Sequence, residues 1–282
     1  MDKLHQKYET LKEYLKSLES VAVAFSGGVD STFLLKVAHD VLGESAIAVT
    51  EKSASFAAID LEESKAFCER ENIQQFFTSI NQLKIPHFAK NPKDRCYFCK
   101  KATFADIYKV AKNLGLNAVC EGTNVDDEGD YRPGMRAITE LGIKSPLRFA
   151  RLTKQDIRTL SHELQLPTWS KPSAACLASR VPYGEPITEQ KLRLIEQGEK
   201  ILSALGFVQK RVRIHEGATV HESTSLHENA QNFIARIEVM PSDFEKAIAN
   251  AEQIEREFKK LGFSYTALDL KGYRTGSLNE TL

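Results

Sequence analysis

Several groups of side chains in this 282-residue sequence have the types and spacing to do chemistry. The first is Ser26-Gly27-Gly28-Val29-Asp30-Ser31. Two adjacent glycines let a backbone turn sharply, and its N–H groups can then close on an anion at the positive end of a helix. The second group is Cys96, Cys99 and Cys176. Two thiolates two residues apart bind one metal or cluster together, and a third from a distant loop could close the site. Zinc normally takes a fourth protein ligand, and the only neighbour is a lone histidine, His87. Three cysteines can instead hold three irons of a [4Fe–4S] cluster and leave the fourth open to sulfide or substrate. The same spacing equally suits a pair of buried thiols at a helix start, with Cys176 unrelated.

A third group is acidic: Asp126 and Asp127, which with Asp30 could hold Mg²⁺ against phosphate oxygens, or could line a solvated loop. A fourth is basic: Ser179 with Arg180, and Arg211 with Arg213. Two arginines spaced by two on a strand face the same way and make a fork for a phosphate monoester or carboxylate, although exposed strand arginines are commonly just solvated. The repeats His215-Glu216, His221-Glu222 and His227-Glu228 would share a face if their stretch were one strand, but Gly217, Ser223 and Ser225 favour a loose hairpin over a metal site. Cys68 and Cys120 fall on apolar stripes and read as small core side chains.

The elements that position these groups alternate. Val21–Phe25 has strand length and ends in the glycine turn, and Thr32–Ala38 has helical periodicity. Before them, Leu4, Tyr8, Leu11, Leu15 and Leu18 predict an amphipathic helix over 3–19. Strands follow at 46–50, 75–78 and 118–120, with helices through 61–68 and 104–114, which implies right-handed βαβ crossovers and a parallel sheet. Ligands in such sheets bind outside the carboxyl ends of the strands, where Ser26 sits. Residues 121–152 read as a long connection, and Thr153 with Asp156 predicts a capping box for a helix to about Leu164. Prolines 167, 172, 182 and 186 bracket Lys171-Pro172-Ser173-Ala174-Ala175-Cys176-Leu177-Ala178-Ser179-Arg180, a boundary segment. Beyond it come a helix over 189–205, strands at 210–214 and 233–239, a helix capped by Ser242 and Glu245 that runs to about Leu261, and a strand at 265–270. The fold class is therefore α/β, with domains at 1–166 and 188–282 joined through 167–187.

Composition sets the outer bounds. Hydrophobic content of 42% and charged content of 27% are those of a globular chain with a real core. Lys+Arg and Asp+Glu both number 38, so the net charge is zero, and a protein that grips long nucleic acid usually carries a basic surplus. No nucleic-acid partner is expected. No run approaches the roughly 18 apolar residues of a membrane span, and the polar start does not read as a signal peptide, so the expectation is a cytoplasmic protein. Five cysteines, an odd number, favour thiols or metal ligands over disulfides.

The segment SGGVDS carries neither a Walker lysine nor a GxGxxG fingerprint. It resembles the PP-loop of the ATP pyrophosphatases, whose SGGxDS pattern it matches at every fixed position. Together with EGTNVDDEGDYRPG, KPSAACLASRVPYG, RVRIH and ARIEV, it resembles the LarE family of ATP-dependent sulfur transferases over nearly the whole length. The resemblance implies a Rossmann-type PP-loop domain and a small α/β domain. It implies adenylation of a carboxylate of a nicotinate-derived pyridinium mononucleotide, then conversion to a thiocarboxylate for the nickel-pincer nucleotide. It implies that Ser26, Gly27, Gly28, Asp30 and Ser31 bind ATP, that Asp30 and Asp127 place Mg²⁺, and that Cys96, Cys99 and Cys176 carry a [4Fe–4S] cluster loaded by a sulfide donor. By the same resemblance Trp169 to Arg180 lines the substrate site, Ser179, Arg180, Arg211 and Arg213 hold the nucleotide phosphate, and Glu199 and Glu238 fall on acidic positions nearby. Members with a single cysteine at the boundary motif sacrifice its sulfur, which keeps Cys176 open as a direct donor here, and a PP-loop tRNA thiolase is a further alternative. A homo-oligomer is expected. One departure is that RVRIH and ARIEV, nearly adjacent in members, are separated here by the His-Glu stretch.

Overall fold

The apolar run before the glycine turn is a strand, β1 (Val21–Ala24), and its alternation decides the layers around it. Val21 and Val23 join Leu11, Phe33 and Leu34 in one hydrophobic cluster, whereas Ala22 joins Ile47, Val49, Phe104 and Ile107 in another, as a side-chain period of two requires. Helices therefore cover both faces of the sheet that contains β1. The structure is a computed structural model, and it describes residues 2–128, 133–172, 175–217, 232–274 and 276–281. The chain forms two units, Met1–Pro86 with Asp94–Ala174 and His87–Lys93 with Ala175–Leu282.

The first unit runs α1 (Lys3–Leu18), β1, α2 (Val29–Leu42), β2 (Ala46–Lys52), α3 (Ala58–Arg70), β3 (Gln75–Ser79), α4 (Arg95–Asn113), β4 (Ala118–Cys120), α5 (Gly134–Glu140), α6 (Pro146–Phe149) and α7 (Lys154–Glu163). Its strands are parallel in the order β3-β2-β1-β4, with Val21 opposite Ala46 on one side and Ala118 on the other. The expected α/β class and parallel sheet are both present. The connection after β4 differs from expectation, because α5 and α6 lie within it. Their apolar residues are too few to show periodicity in sequence; Ala137, Ile138 and Leu147 are nonetheless buried, and the absent side chain of Gly134 makes room for Lys100 of α4.

The capping box at α7 is present. The Thr153 hydroxyl accepts from the Asp156 N–H at 3.1 Å, and the Asp156 carboxylate accepts from the Thr153 N–H at 3.0 Å. That carboxylate also accepts from Lys7 of α1 at 2.6 Å, which ties the N-terminal helix to the domain.

The second unit contains α8 (Glu189–Ala204), β5 (Lys210–Glu216), β6 (Phe233–Val239), α9 (Phe244–Ala249), α10 (Ala251–Leu261) and β7 (Phe263–Leu268). Its sheet has the order β5-β6-β7, antiparallel at the first pair and parallel at the second. The order α-β-β-α-β is as expected, with one correction at the final helix. Ser242 does not cap it; Ser242 lies in a short 3₁₀ turn (Pro241–Asp243), and α9 starts without a side-chain cap. The helix also breaks at Asn250, whose amide turns back onto the Lys246 carbonyl at 2.8 Å. The strap 87–93 belongs with this unit: the Asn91 amide donates to the carbonyls of Val181 and Pro182, and the Ile187 N–H donates to the Ala89 carbonyl. Among the described residues no helix is long and apolar enough to cross a membrane.

Burial works against ionisation of Asp156, but the bonds from Lys7 and Thr153 outweigh it and hold its carboxyl below the usual range. A carboxylate whose pKa is depressed by folding stabilises above its unfolded pKa and loses that contribution as pH falls through the folded pKa. Asp156→Asn, which keeps an acceptor for the Thr153 N–H but removes the charge facing Lys7, is therefore expected to cost up to about 1 kcal/mol at neutral pH, the scale of a part-exposed ion pair. The gap from the unsubstituted chain should shrink in acid; urea unfolding at a series of pH values checks this.

Candidate functional site

The glycine turn is built as an anion cradle. Gly27 has φ +67, a left-handed value that a side chain would strain, and a Cβ there would lie 3.2 Å from the Asp60 carbonyl oxygen. Gly28 then caps α2 with no side-chain bond of its own, so the first-turn N–H groups are not taken up by a capping side chain. Two hydroxyls brace the turn from within: Ser31 donates to the Gly28 carbonyl at 3.2 Å and accepts from the Ser26 N–H at 3.3 Å, with the Ser26 hydroxyl 3.1 Å away. Backbone N–H groups and helix dipole together favour an anion such as phosphate.

The turn after β4 presses on this cradle. A Cβ on Gly122 would meet the Ser31 nitrogen at 3.1 Å and Asp30 Cβ at 3.2 Å. Glu121 is buried beside it and accepts from the Thr123 hydroxyl, the Thr123 N–H and the Ser145 hydroxyl. Asn124 caps a short 3₁₀ turn (Val125–Asp127), and the Asp127 carboxylate reciprocates by accepting the Asn124 N–H at 2.9 Å. Asp126 accepts from the Lys154 N–H at 2.8 Å. Asp30 is engaged by the Lys154 ammonium at 2.5 Å and by the Asn124 amide at 3.4 Å. The acidic turn and Asp30 are thus joined through Asn124 and Lys154. Neither of those two residues was singled out in sequence, although Lys154 lies inside the recognised capping box.

Lys171, expected within the substrate-lining stretch Trp169 to Arg180, makes a contact with the glycine turn that has no signal in the sequence. Its ammonium donates to the Gly27 carbonyl at 3.2 Å, to Asp60 at 2.8 Å and to Glu63 at 2.6 Å, so it reaches the outer side of the cradle. Arg158 of α7 holds the segment that carries it, through the carbonyls of Trp169 and Lys171.

Cys96 lies in the first turn of α4 and Cys99 three residues on, so they share a face of the helix. The buried Gln82 donates its amide to the Cys99 sulfur at 3.2 Å, and the same nitrogen reaches Glu51 at 3.4 Å. Burial raises the Glu51 carboxyl above the usual range, and a hydroxyl bond from Thr103 only partly opposes this. Cys68 and Cys120 are buried, as expected, and burial pushes both thiols up to about 12. Among the described residues no three His, Cys, Asp or Glu side chains are grouped as a metal site.

In the second unit, exposed Cys176 precedes a short 3₁₀ turn (Leu177–Arg180) secured by one buried ion pair and one half-buried ion pair. Arg180 donates to both Glu199 oxygens, at 2.8 and 3.0 Å, and to the carbonyls of Ala175 and Cys176. Burial lowers the Arg180 pKa, and Glu199 more than restores it. Arg213 holds Glu238 through two bonds and donates to the Ser179 carbonyl at 2.7 Å and the Ser277 hydroxyl at 2.5 Å. Arg211 and Arg213 do share a strand face, but they differ in partners. Glu238 stands opposite Arg211 in register, yet its carboxylate goes to Arg213. Arg211 rests over the Tyr273 ring at 4.6 Å and bonds its hydroxyl at 3.0 Å, with no carboxylate at ion-pair distance among the described residues. Burial lowers its pKa. His215 accepts from Arg236 at 3.2 Å, and burial lowers its pKa. His221 and His227 lie outside the described residues, as do Ser173 and Ala174 of the boundary motif.

No protein-family model matches the chain. Individual proteins do. An uncharacterized protein of Synechocystis sp. is 38% identical over 281 residues, covering 99% of each chain. A protein of Lactiplantibacillus plantarum named pyridinium-3,5-bisthiocarboxylic acid mononucleotide synthase is 36% identical over 283 residues, 100% of this chain and 97% of its own. A glutamine-hydrolyzing GMP synthase chain of Thermoplasma volcanium is 29% identical over 193 residues, 61% of this chain and 60% of its own, which accords with a PP-loop type of fold for the parallel-sheet unit.

Arg213 and Glu238 are both fully enclosed, so removing one charge strands the other. Glu238→Ala is expected to cost about 3–5 kcal/mol. Arg211→Ala, which breaks no ion pair, should cost well under half of that; guanidinium chloride unfolding of the two variants side by side checks the contrast.

Proposed function

The chain belongs to the LarE family, that of pyridinium-3,5-bisthiocarboxylic acid mononucleotide synthase, and from that premise we propose that it is an ATP-dependent sulfur transferase for nickel-pincer nucleotide synthesis. The observation that carries the proposal is full-length identity of 36% to a synthase whose name states the product. The glycine cradle on α2 supports the ATP half of it.

In the proposed reaction a carboxylate oxygen of a nicotinate-derived pyridinium mononucleotide attacks the α-phosphorus of ATP. The bond from that phosphorus to its bridging oxygen breaks, and pyrophosphate leaves. A sulfur nucleophile then attacks the acyl carbon and AMP departs, leaving a thiocarboxylate. Backbone N–H groups of Ser26 to Ser31 bind the departing pyrophosphate, where fixed donors stabilise developing charge without reorganising. Asp30 and Asp127 would hold Mg²⁺. A carboxylate offers about four acceptor positions, so Asp30 can accept from Lys154 and Asn124 and still face a metal. Arg211, which has no acidic partner among the described residues, is the arginine best suited to the substrate phosphate; Arg180 and Arg213 would act with it, through Ser179, by holding the Cys176 turn in shape. Residues 1–166 would thus serve the nucleotide, 188–282 the mononucleotide, and 167–187 would carry the substrate motif.

Thiolate chemistry fits the start of α4, where Cys96 and Cys99 share a face and an amide N–H meets the Cys99 sulfur. With Cys176 they would hold a [4Fe–4S] cluster, which would supply the sulfide and be reloaded by a low-molecular sulfide donor. The exposure of Cys176 favours a second reading, in which its own sulfur is given up. A cytoplasmic homo-oligomer that acts on a small molecule completes the proposal. The zero net charge weighs against a tRNA thiolase.

Pyrophosphate release from ATP should depend on the pyridinium mononucleotide; release that ignores it would sink the assignment. After anaerobic reconstitution, iron and absorption should be lost in Cys96→Ser, Cys99→Ser and Cys176→Ala. Intact mass after turnover separates the two sulfur sources: an unchanged chain supports the cluster, and loss of one H₂S identifies Cys176 as the donor.

A further inference from the structure

The geometry points to Lys171 as the positioning residue of the glycine loop, a role that rests on the nucleotide-binding reading above. An ammonium has three donors, and those of Lys171 meet three acceptors: the Gly27 carbonyl, Asp60 and Glu63. No donor is left for a phosphate. The paired carboxylates also offset its charge, so Lys171 contributes geometry to the loop and not a free cation.

The geometry it fixes is that of one peptide plane. A peptide is flat and trans, so its C=O and N–H point opposite ways. When Lys171 draws the Gly27 carbonyl outward, the Gly28 N–H of the same peptide is turned away from it, toward the side on which an anion cradle must gather its donors. Glycine sets its own dihedrals less firmly than any other residue, so contacts must set them here. Gly27 has a left-handed φ of +67 with the Asp60 carbonyl 3.2 Å from its Cβ position, and the Lys171 ammonium meets its carbonyl. Asp60 lies in the first turn of α3 and Glu63 one turn on, so the lysine also anchors the loop to a helix. On the far side, Arg158 grips the Lys171 carbonyl at 2.8 Å, which fixes the base of the lysine. Burial would lower the lysine pKa, but the bonds from Asp60 and Glu63 outweigh it and leave the ammonium charged throughout the neutral range.

The test is calorimetric titration of the full chain with inorganic pyrophosphate, ATP and AMP, in the unsubstituted protein, Lys171→Met, Lys171→Arg and the double variant Asp60→Asn with Glu63→Gln. Lys171→Met should weaken pyrophosphate and ATP about tenfold, the scale of a charged hydrogen bond. AMP, which lacks the phosphates that the loop holds, should bind as before, and Lys171→Arg should restore most of the loss. The double variant separates positioning from direct contact. Released from its carboxylates, a lysine that bound phosphate itself would tighten pyrophosphate, whereas a lysine that orients the loop weakens it. Unchanged pyrophosphate binding in Lys171→Met, a parallel loss of AMP, or tighter binding in the double variant each overturns the inference. Failure of the unsubstituted chain to bind either ATP or pyrophosphate overturns the nucleotide-binding reading itself.

Discussion

The first turn of α2 is approached from two sides at distances that only glycine permits. From β4, Gly122 brings its backbone so close to Ser31 and Asp30 that no side chain fits between them. From α3, the Asp60 carbonyl closes on Gly27 in the same way. Packing at that density leaves backbone atoms no room to shift. What surrounds the turn follows from it. Glu121, forced inside next to Gly122, needs its hydrogen bonds from Thr123 and Ser145, because a buried carboxylate without partners is costly. Asn124 then bridges Asp30 and its own turn, and α7 docks there through Lys154. A cradle for anions and the packing of three connections are thus one constraint.

The second unit meets a different problem, that of enclosing several arginines on a small sheet. Burying a guanidinium alone is expensive, and the structure answers with two glutamates for three arginines. Glu199 neutralises Arg180, and Glu238 neutralises Arg213. Arg211 keeps its charge, supported by an aromatic face and a phenol. Arg211 has no carboxylate at ion-pair distance among the described residues, and the paired arginines hold the backbone of the Cys176 turn.

Much of this was legible because short-range chemistry announces itself. The glycine turn, the period of β1 and the capping box at Thr153 are local patterns whose geometry is set within a few residues. The strands holding RVRIH and ARIEV were legible one by one, but their pairing was not: Lys210 to Glu216 align with Val239 to Phe233 in the sheet across the intervening His-Glu stretch. Partner choice was not legible. Nothing in the spacing of Arg211 and Arg213 says that Glu238 takes the diagonal arginine over the one opposite. The partners of Lys154 and Lys171 were illegible for the same reason, since a lysine carries no signal of its partner, and theirs lie 124 and 144 residues away. The helices after β4 escaped because four to seven residues cannot display a period.

The strap 87–93 has a consequence for how such a protein can be inherited. Because Asn91 and Ala89 bond to residues 181, 182 and 187, the backbone leaves the first unit, visits the second, returns, and leaves again. No single cut separates the two units intact. A gene fused or split at one point would strip the second unit of its strap or leave the first with a stranded loop. The halves of this chain are therefore bound to evolve as a pair: recombination that shuffles whole modules between genes has no clean joint here, and change must come by substitution within a fixed arrangement.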